Sequence, residues 1–395
     1  MTKKQPASLV EQLRGATKLA VEATRSVTDL VQKMHHTIGG GPEVLGAPLL
    51  EVTKLLSGPT YGTIRGVTKL VGAGLDLALT QLQPMLDAAG SERGTILAVL
   101  NGVMGDYLAA TNNPLAIHMQ LRSGGVALTL DRESLQAAFP EGNKLLLLVH
   151  GSSMDDLQWL RRGHDHGAAL ARDLGFVPVY VRYNSGRHVS ENGRELSALL
   201  ERLVSAFPRP LSELVLLTHS MGGLVARSAC HVAEAEHHAW REKLRTLVTL
   251  GTPHHGSPLE RGGNWIDVLL EVSRYSAPLA QLGRLRSAGV TDLRYGNVLD
   301  EHWEGMDRFA KEGDRRGALS LPEGVNCYAI AASLGPGRGD GLVPVDSALG
   351  KHPELPLVFP ESHQLVVEKT SHLDLLSSAE VYAKVKDWLT TSRAS

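Results

Sequence analysis

From about residue 116 to 393 the chain repeats one pattern: a short uninterrupted apolar run, a turn of Gly, Ser, His or Asn, then a longer stretch with apolar positions three and four apart. Short continuous runs fit strands buried on both faces, and the three-four spacing fits helices packed on them. The pattern predicts a hairpin over 117–130, with Met119, Leu121, Val126 and Leu128 as strand residues and Gly124-Gly125 at the turn. It then predicts a strand over 144–149, a helix over 157–174, a strand over 177–183, a helix over 193–206, a strand over 214–218 and a helix from Met221. Further strands follow over 247–251 and 325–333, and Val381, Val385 and Leu389 mark an amphipathic C-terminal helix. Such alternation gives an α/β fold, a mostly parallel sheet with helices on both faces and a site at the carboxyl ends of the strands.

Two segments stand outside that alternation. Residues 1–115 read as an N-terminal helical region, apart from the α/β domain over 116–395. Leu9, Leu13, Ala23, Val27, Leu30 and Met34 form one apolar stripe, ended by Gly39-Gly-Gly-Pro42. A second helix is expected over 43–56, a third through Ile64, Val67, Val71, Leu75 and Leu82, and a fourth through Ile96, Leu100, Val103 and Tyr107. These stripes allow two readings: packing on the α/β domain or on one another, or peripheral contact with a membrane or lipid surface. Lys3, Lys4, Arg14, Lys18, Arg25 and Lys33 favour the second, and Glu11, Glu22 and Asp29 dilute them. The other segment is a cap insertion over 258–322, where Trp265, Ile266, Val268, Leu269, Val272, Tyr275 and Leu279 make an apolar helix face. It is read either as a mobile lid over a hydrophobic acyl site or as a permanently docked helix.

Composition narrows the function classes. With 395 residues, 43% hydrophobic and 21% charged, the chain is long enough for one large core and a smaller second unit. A formal net charge of −2 supplies no basic field for phosphates, so nucleic acid is not an expected partner. Cys230 and Cys327 lie in apolar surroundings and read as core packing rather than a disulfide. Glu11 and Arg14 interrupt the only early apolar stretch, so no cleavable signal is expected, and no window has the length to span a bilayer. The expected location is cytoplasmic, with peripheral membrane contact open.

The chemistry is concentrated at the strand ends. In Leu214-Val-Leu-Leu-Thr-His-Ser-Met-Gly-Gly-Leu-Val-Ala-Arg227 an apolar strand breaks at Ser220 and resumes as a helix. A sharp turn of this kind lifts a serine oxygen clear of the sheet, and Gly222 and Gly223 let the helix approach closely. The run Lys144-Leu-Leu-Leu-Leu-Val-His-Gly-Ser-Ser153 enters a His-Gly turn, Gly339-Asp340-Gly341 puts a carboxylate between two glycines, and Ser371-His372-Leu373-Asp374 precedes the last helix.

With these residues the chain resembles an α/β-hydrolase of the bacterial serine lipase and esterase type, with triad order Ser, acid, His. Thr252-Pro-His-His-Gly-Ser257 is also similar to text in bacterial lipases and inositol-deacylase-like hydrolases, while Thr218 stands where the G-x-S-x-G pattern has its first glycine. The resemblance implies Ser220 as nucleophile, His372 as base, Asp340 as the acid that orients it, and the N–H groups of Ser152 and Met221 as the oxyanion hole. It implies a small-molecule or lipid-like ester as substrate, with no metal and no cofactor needed. Amidase or polyester depolymerase chemistry would use the same triad, and a non-catalytic membrane- or partner-binding scaffold is the alternative of a different class. Asp346 and Asp374 are the rival acids; Asp374 also occupies a position that binds calcium in some bacterial lipases, without recognisable companion ligands here. His150 and His219 read as packing or supporting histidines, the loop 182–188 as either a pocket lining or a helix-entry turn, and the pairs at 35–36, 237–238 and 254–255 with His164 and His166 as histidines of exposed polar loops rather than metal ligands.

Overall fold

Alternate residues of the central strands enter two different cores, which is why their sequences are continuously apolar. In the computed structural model, residues 93–257, 287–306 and 313–391 are described. Strand β3 (Lys144–Val149) sends Leu145, Leu147 and Val149 into one core and Leu146 and Leu148 into the other. The same division runs through β4 (Val177–Arg182), β5 (Glu213–His219), β6 (Leu244–Leu250) and β7 (Asn326–Ser333). One core is closed by α4 (Val189–Ala206) and α5 (Met221–Ala235), the other by α3 (His166–Leu174) and α9 (Ala379–Thr391). Each fully buried Leu or Val contributes about 1.5–3 kcal/mol relative to exposure.

The sheet has eight strands in the order β2-β1-β4-β3-β5-β6-β7-β8. From β4 to β8 (Gln364–Glu368) neighbours are parallel, whereas β1 (Gln120–Ser123) pairs antiparallel with β4 and with β2 (Val126–Ala127). Gly124 and Gly125 close that hairpin at φ 55° and 77°, the left-handed pair that a two-residue turn requires. The architecture is the expected mostly parallel sheet with helices on both faces. Shorter helices α2 (Arg132–Ala138), α6 (Trp240–Lys243), α7 (Ala288–Asp292) and α8 (Val345–Ala348) lie in the connections.

Three elements differ from the sequence reading. The helix expected over 157–174 is a short 3-10 turn, Asp156–Trp159, followed by α3, because Arg162 and Gly163 turn left-handed at φ 50° and 77°. Helix α4 begins at Val189 rather than 193, since the distant Asp292 carboxylate accepts its first N–H at 2.8 Å. Helix α1 (Arg93–Ala110) is interrupted at Met104, where φ is −142° and ψ 24°.

From Leu97 onward α1 belongs to the same compact unit as the sheet, although it falls before residue 115. Asn101 Nδ2 donates to the Leu115 carbonyl at 2.8 Å, its Oδ1 accepts from Ile117 N at 2.9 Å, and Ser287 Oγ donates to the Gly102 carbonyl at 2.7 Å. The earlier N-terminal helices and the cap face from Trp265 to Leu279 lie outside the described residues. Among the described residues no helix is long and apolar enough to cross a membrane.

Helix α5 starts directly against β3. A Cβ on Gly222 would stand 2.3 Å from the Val149 carbonyl oxygen and 2.6 Å from that of His150, both backbone atoms with no rotamer to yield. Gly222→Ala is therefore expected to cost about 1–3 kcal/mol, read as a lowered urea midpoint; an unchanged midpoint would mean that the helix start is not tightly seated.

Candidate active site

Ser220 occupies the single residue between β5 and α5, at φ 54° and ψ −126°. A side chain held there costs about 1–3 kcal/mol and persists only where the surroundings impose it. Its N–H donates to the Leu250 carbonyl at 2.9 Å and its carbonyl accepts from Gly223 N at 3.1 Å. Thr218, in the place of the usual glycine, is accommodated because its hydroxyl donates to the Val248 carbonyl at 3.1 Å. The serine itself is only half-buried, while Thr218, His219 and Met221 on either side are fully buried.

Asp340 and His372 meet as a buried pair. His372 Nδ1 donates to Asp340 Oδ2 at 2.7 Å, and the His372 N–H donates to the Asp340 carbonyl at 3.0 Å. Asp340 Oδ1 accepts from Leu342 N at 2.9 Å and Val343 N at 2.7 Å, so its carboxylate is oriented on both sides. With Nδ1 engaged as a donor, neutral His372 keeps its Nε2 lone pair free to accept a proton. The pair packs on Gly251, where a Cβ would come within 3.1 Å of His372 Nδ1 and 3.2 Å of Asp340 Oδ2. Gly251 directly follows Leu250, the residue whose carbonyl holds Ser220. Among the described residues no hydrogen bond joins the Ser220 hydroxyl to His372 Nε2, and in unliganded hydrolytic sites this contact is often long.

The other side of the serine faces the turn after β3. A Cβ on Gly151 would stand 2.9 Å from Ser220 Cβ, which places the His150–Ser153 turn directly against the Ser220 turn. Ser153 sits at φ 58° and its N–H donates to Ser185 Oγ at 2.9 Å, which fixes the end of the turn that carries Ser152. Met221 N–H is the first of α5 and has no helical carbonyl behind it. The loop 182–188 leads directly into α4 and also braces the turn after β3: Ser185 Oγ accepts from Ser153 N, Asn184 Nδ2 donates to the Gly105 carbonyl at 2.9 Å, and Tyr183 OH donates to the His150 carbonyl at 2.9 Å, while Arg187 and His188 line a cavity.

The rival acids point elsewhere. Asp346 is exposed beside Lys351 at 3.7 Å, and Asp374 pairs with Arg162 at 3.0 Å and Arg161 at 3.8 Å. The Thr-Pro-His-His-Gly-Ser segment, read only as a family signature, braces the acid loop: Ser347 Oγ donates to the Gly256 carbonyl at 2.7 Å, and the Ser257 hydroxyl donates to the Leu342 carbonyl beside the Asp340 anchors. Among the described residues no group of three or more His, Cys, Asp or Glu is arranged to hold a metal. Cys230 and Cys327 are free and buried, and burial pushes the Cys327 thiol up to about 12. Two cavities, about 250 Å³ beside Asp292 and Trp303 and about 610 Å³ between residues 106–118 and 187–195, are lined by none of the triad candidates.

Several histidines are buried and held neutral, among them His166 and His254, which the sequence reading placed in exposed loops. Burial lowers His150 and His166 to about 4, and lowers His219 and His254 well below the ordinary value. His150 stacks on Tyr183 at 4.4 Å, and His166 Nε2 donates to the Leu375 carbonyl at 2.9 Å.

Residues 179–319 match the family described as the PGAP1-like alpha/beta domain. No curated protein matches the chain in sequence. Among solved structures it is similar to the mature form of Bacillus licheniformis lipase BlEst2, at 18% identity over 70% of this chain and 98% of that one, with a TM-score of 0.43. It is also similar to the NocB thioesterase domain, at 14% identity over 64% and 96% of the two chains and a TM-score of 0.38. Pyrococcus furiosus esterase Pf2001 is similar at 13% identity over 63% and 83%, with a TM-score of 0.35.

Two outcomes follow from the electrostatics. In Asp340→Asn the ring of His372 can take the wrong tautomer, and kcat for any ester that the protein turns over is expected to fall about 10³–10⁴-fold; a loss under tenfold would remove Asp340 from the site. Separately, the four buried neutral histidines have folded pKa values below their unfolded ones, so on acidification the unfolded chain binds protons first. Stability is therefore expected to be level above pH ~7 and to fall as pH drops from ~6.5 towards 4. Burial raises Asp155 and Asp292, which act in the opposite sense and only partly offset the loss. Urea midpoints across that range test this, and a midpoint that rises on acidification would contradict it.

Proposed function

We propose that the chain is a serine carboxylic ester hydrolase of the α/β-hydrolase type, acting on apolar or lipid-like esters. The observation that carries the reading is the buried Asp340–His372 pair, seated on the residue next to the carbonyl that anchors Ser220 in its strained turn. In the proposed cycle Ser220 Oγ attacks the ester carbonyl carbon while His372 Nε2 takes the hydroxyl proton. Asp340 stabilises the imidazolium that forms, and the oxyanion rests on the N–H groups of Ser152 and Met221. His372 then gives its proton to the leaving alcohol as the C–O bond breaks, leaving an acyl group on Ser220. Water enters and attacks the acyl carbon while His372 accepts one of its protons; the acyl–Oγ bond then breaks, His372 returns that proton to Ser220 Oγ, and the acid is released. Loss of one oxyanion donor in such sites costs about 3 kcal/mol of transition-state stabilisation.

The proposed preference for an apolar acyl chain rests on the sequence alone, on the spaced apolar residues between Trp265 and Leu279. The decisive comparison is wild type against Ser220→Ala, each incubated with a fluorophosphonate probe and with p-nitrophenyl esters of graded acyl length. Labelling and turnover are expected in the wild type and absent in the variant, with the length profile separating esterase from lipase behaviour. A folded wild type that neither labels nor turns over any ester would sink the proposal.

A further inference from the structure

His219 lies between the two turns that would carry the chemistry. Its ring is fully buried, 4.7 Å from that of His372 and tilted 48° to it. Its Nε2 is 3.1 Å from the His372 carbonyl oxygen. A carbonyl only accepts, so the proton is on Nε2 and Nδ1 is the bare nitrogen. Among the described residues that Nδ1 has no hydrogen-bond partner, and a Cβ on Gly151 would come within 3.1 Å of it. The imidazole thus spans from the oxyanion turn to the loop of the base. Burial, and then the proximity of His372, holds it neutral, so it does not compete for the transferred proton.

Resting on the serine hydrolase reading, we infer that His219 is a positioning residue: its Nε2–H holds the His372 carbonyl and so fixes the base relative to the adjacent Ser220. The reasoning follows the backbone. Asp340 fixes His372 to the acid loop through a side-chain and a main-chain bond, but neither ties it to the nucleophile. The only link of the base loop to the serine's own peptide neighbour that involves a His372 backbone atom, among the described residues, is the bond from His219. A base displaced by about 1 Å loses as much as 10²-fold in rate. A buried ring that merely filled space would serve equally well without its N–H.

Two substitutions separate those roles. His219→Phe keeps a ring of similar size and removes the donor, whereas His219→Gln gives up the ring and keeps an amide N–H of similar reach. Each is assayed for kcat and KM on a short p-nitrophenyl ester, with kcat expressed per serine titrated by a fluorophosphonate, so that unfolded protein is not counted. The expected result is a kcat at least about tenfold lower in the Phe variant, with KM within about twofold, and at least about a third of wild-type kcat in the Gln variant. A Phe variant within about twofold of wild-type kcat, or a Gln variant no better than the Phe variant, would overturn the inference. A wild type without labelling or turnover would overturn the hydrolase reading itself, an outcome distinct from either variant result.

Discussion

Parallel register positions everything else in this molecule. Val149 of β3 lies beside Thr218 of β5, Thr218 beside Thr249 of β6, and Leu250 beside Ile330 of β7, so successive strands reach the same level at the same edge. Each chain then leaves the sheet within a few residues: the Gly151 turn after β3, Ser220 after β5, Gly251 after β6, Asp340 beyond β7 and His372 beyond β8. A slip of one residue in any of these pairings would turn its side chains to the opposite core. The two apolar cores therefore specify the register, and the register specifies which turns become neighbours.

The turns themselves are kept in unfavourable or closely packed forms by bonds from outside. Ser220 is held at positive φ by the end of β6 and by the start of its own helix. Ser153, also at positive φ, is held by Ser185, and the acid loop by Ser257 and Ser347. Gly151 and Gly251 leave room on either side of the serine where a methyl group would collide with Ser220 or with His372. Local strain at the centre is thus supported by a ring of ordinary hydrogen bonds around it.

Much of the fold was legible in the sequence because the strands are buried on both faces and bounded by Gly, Ser and His turns. Position and type were readable for β3 to β7, for the Gly124-Gly125 hairpin and for the turn at Ser220. Most of what was not readable depends on partners remote in sequence. The start of α4 is set by Asp292, more than a hundred residues away, whereas the break before α3 is local and was signalled only by Gly163, left-handed beside Arg162 inside a stretch with helical spacing. Asp340 was preferred over Asp346 and Asp374 because of its flanking glycines; of the three carboxylates it is the one that bonds to His372. The bond from His219 to His372 was hidden, since adjacency to Ser220 suggested packing and no pattern linked positions 219 and 372. The signal available was a histidine in an otherwise apolar strand end, too common to identify a partner.

The double attachment of His372 to Asp340, through ring and main chain, also makes the two residues one mechanical body. A displacement of the acid loop carries the imidazole with it instead of pulling the two apart, because both bonds would have to break together. A shape change in this region therefore alters the approach to Ser220 or the distance between the serine and the paired unit, and leaves the geometry within the pair unchanged.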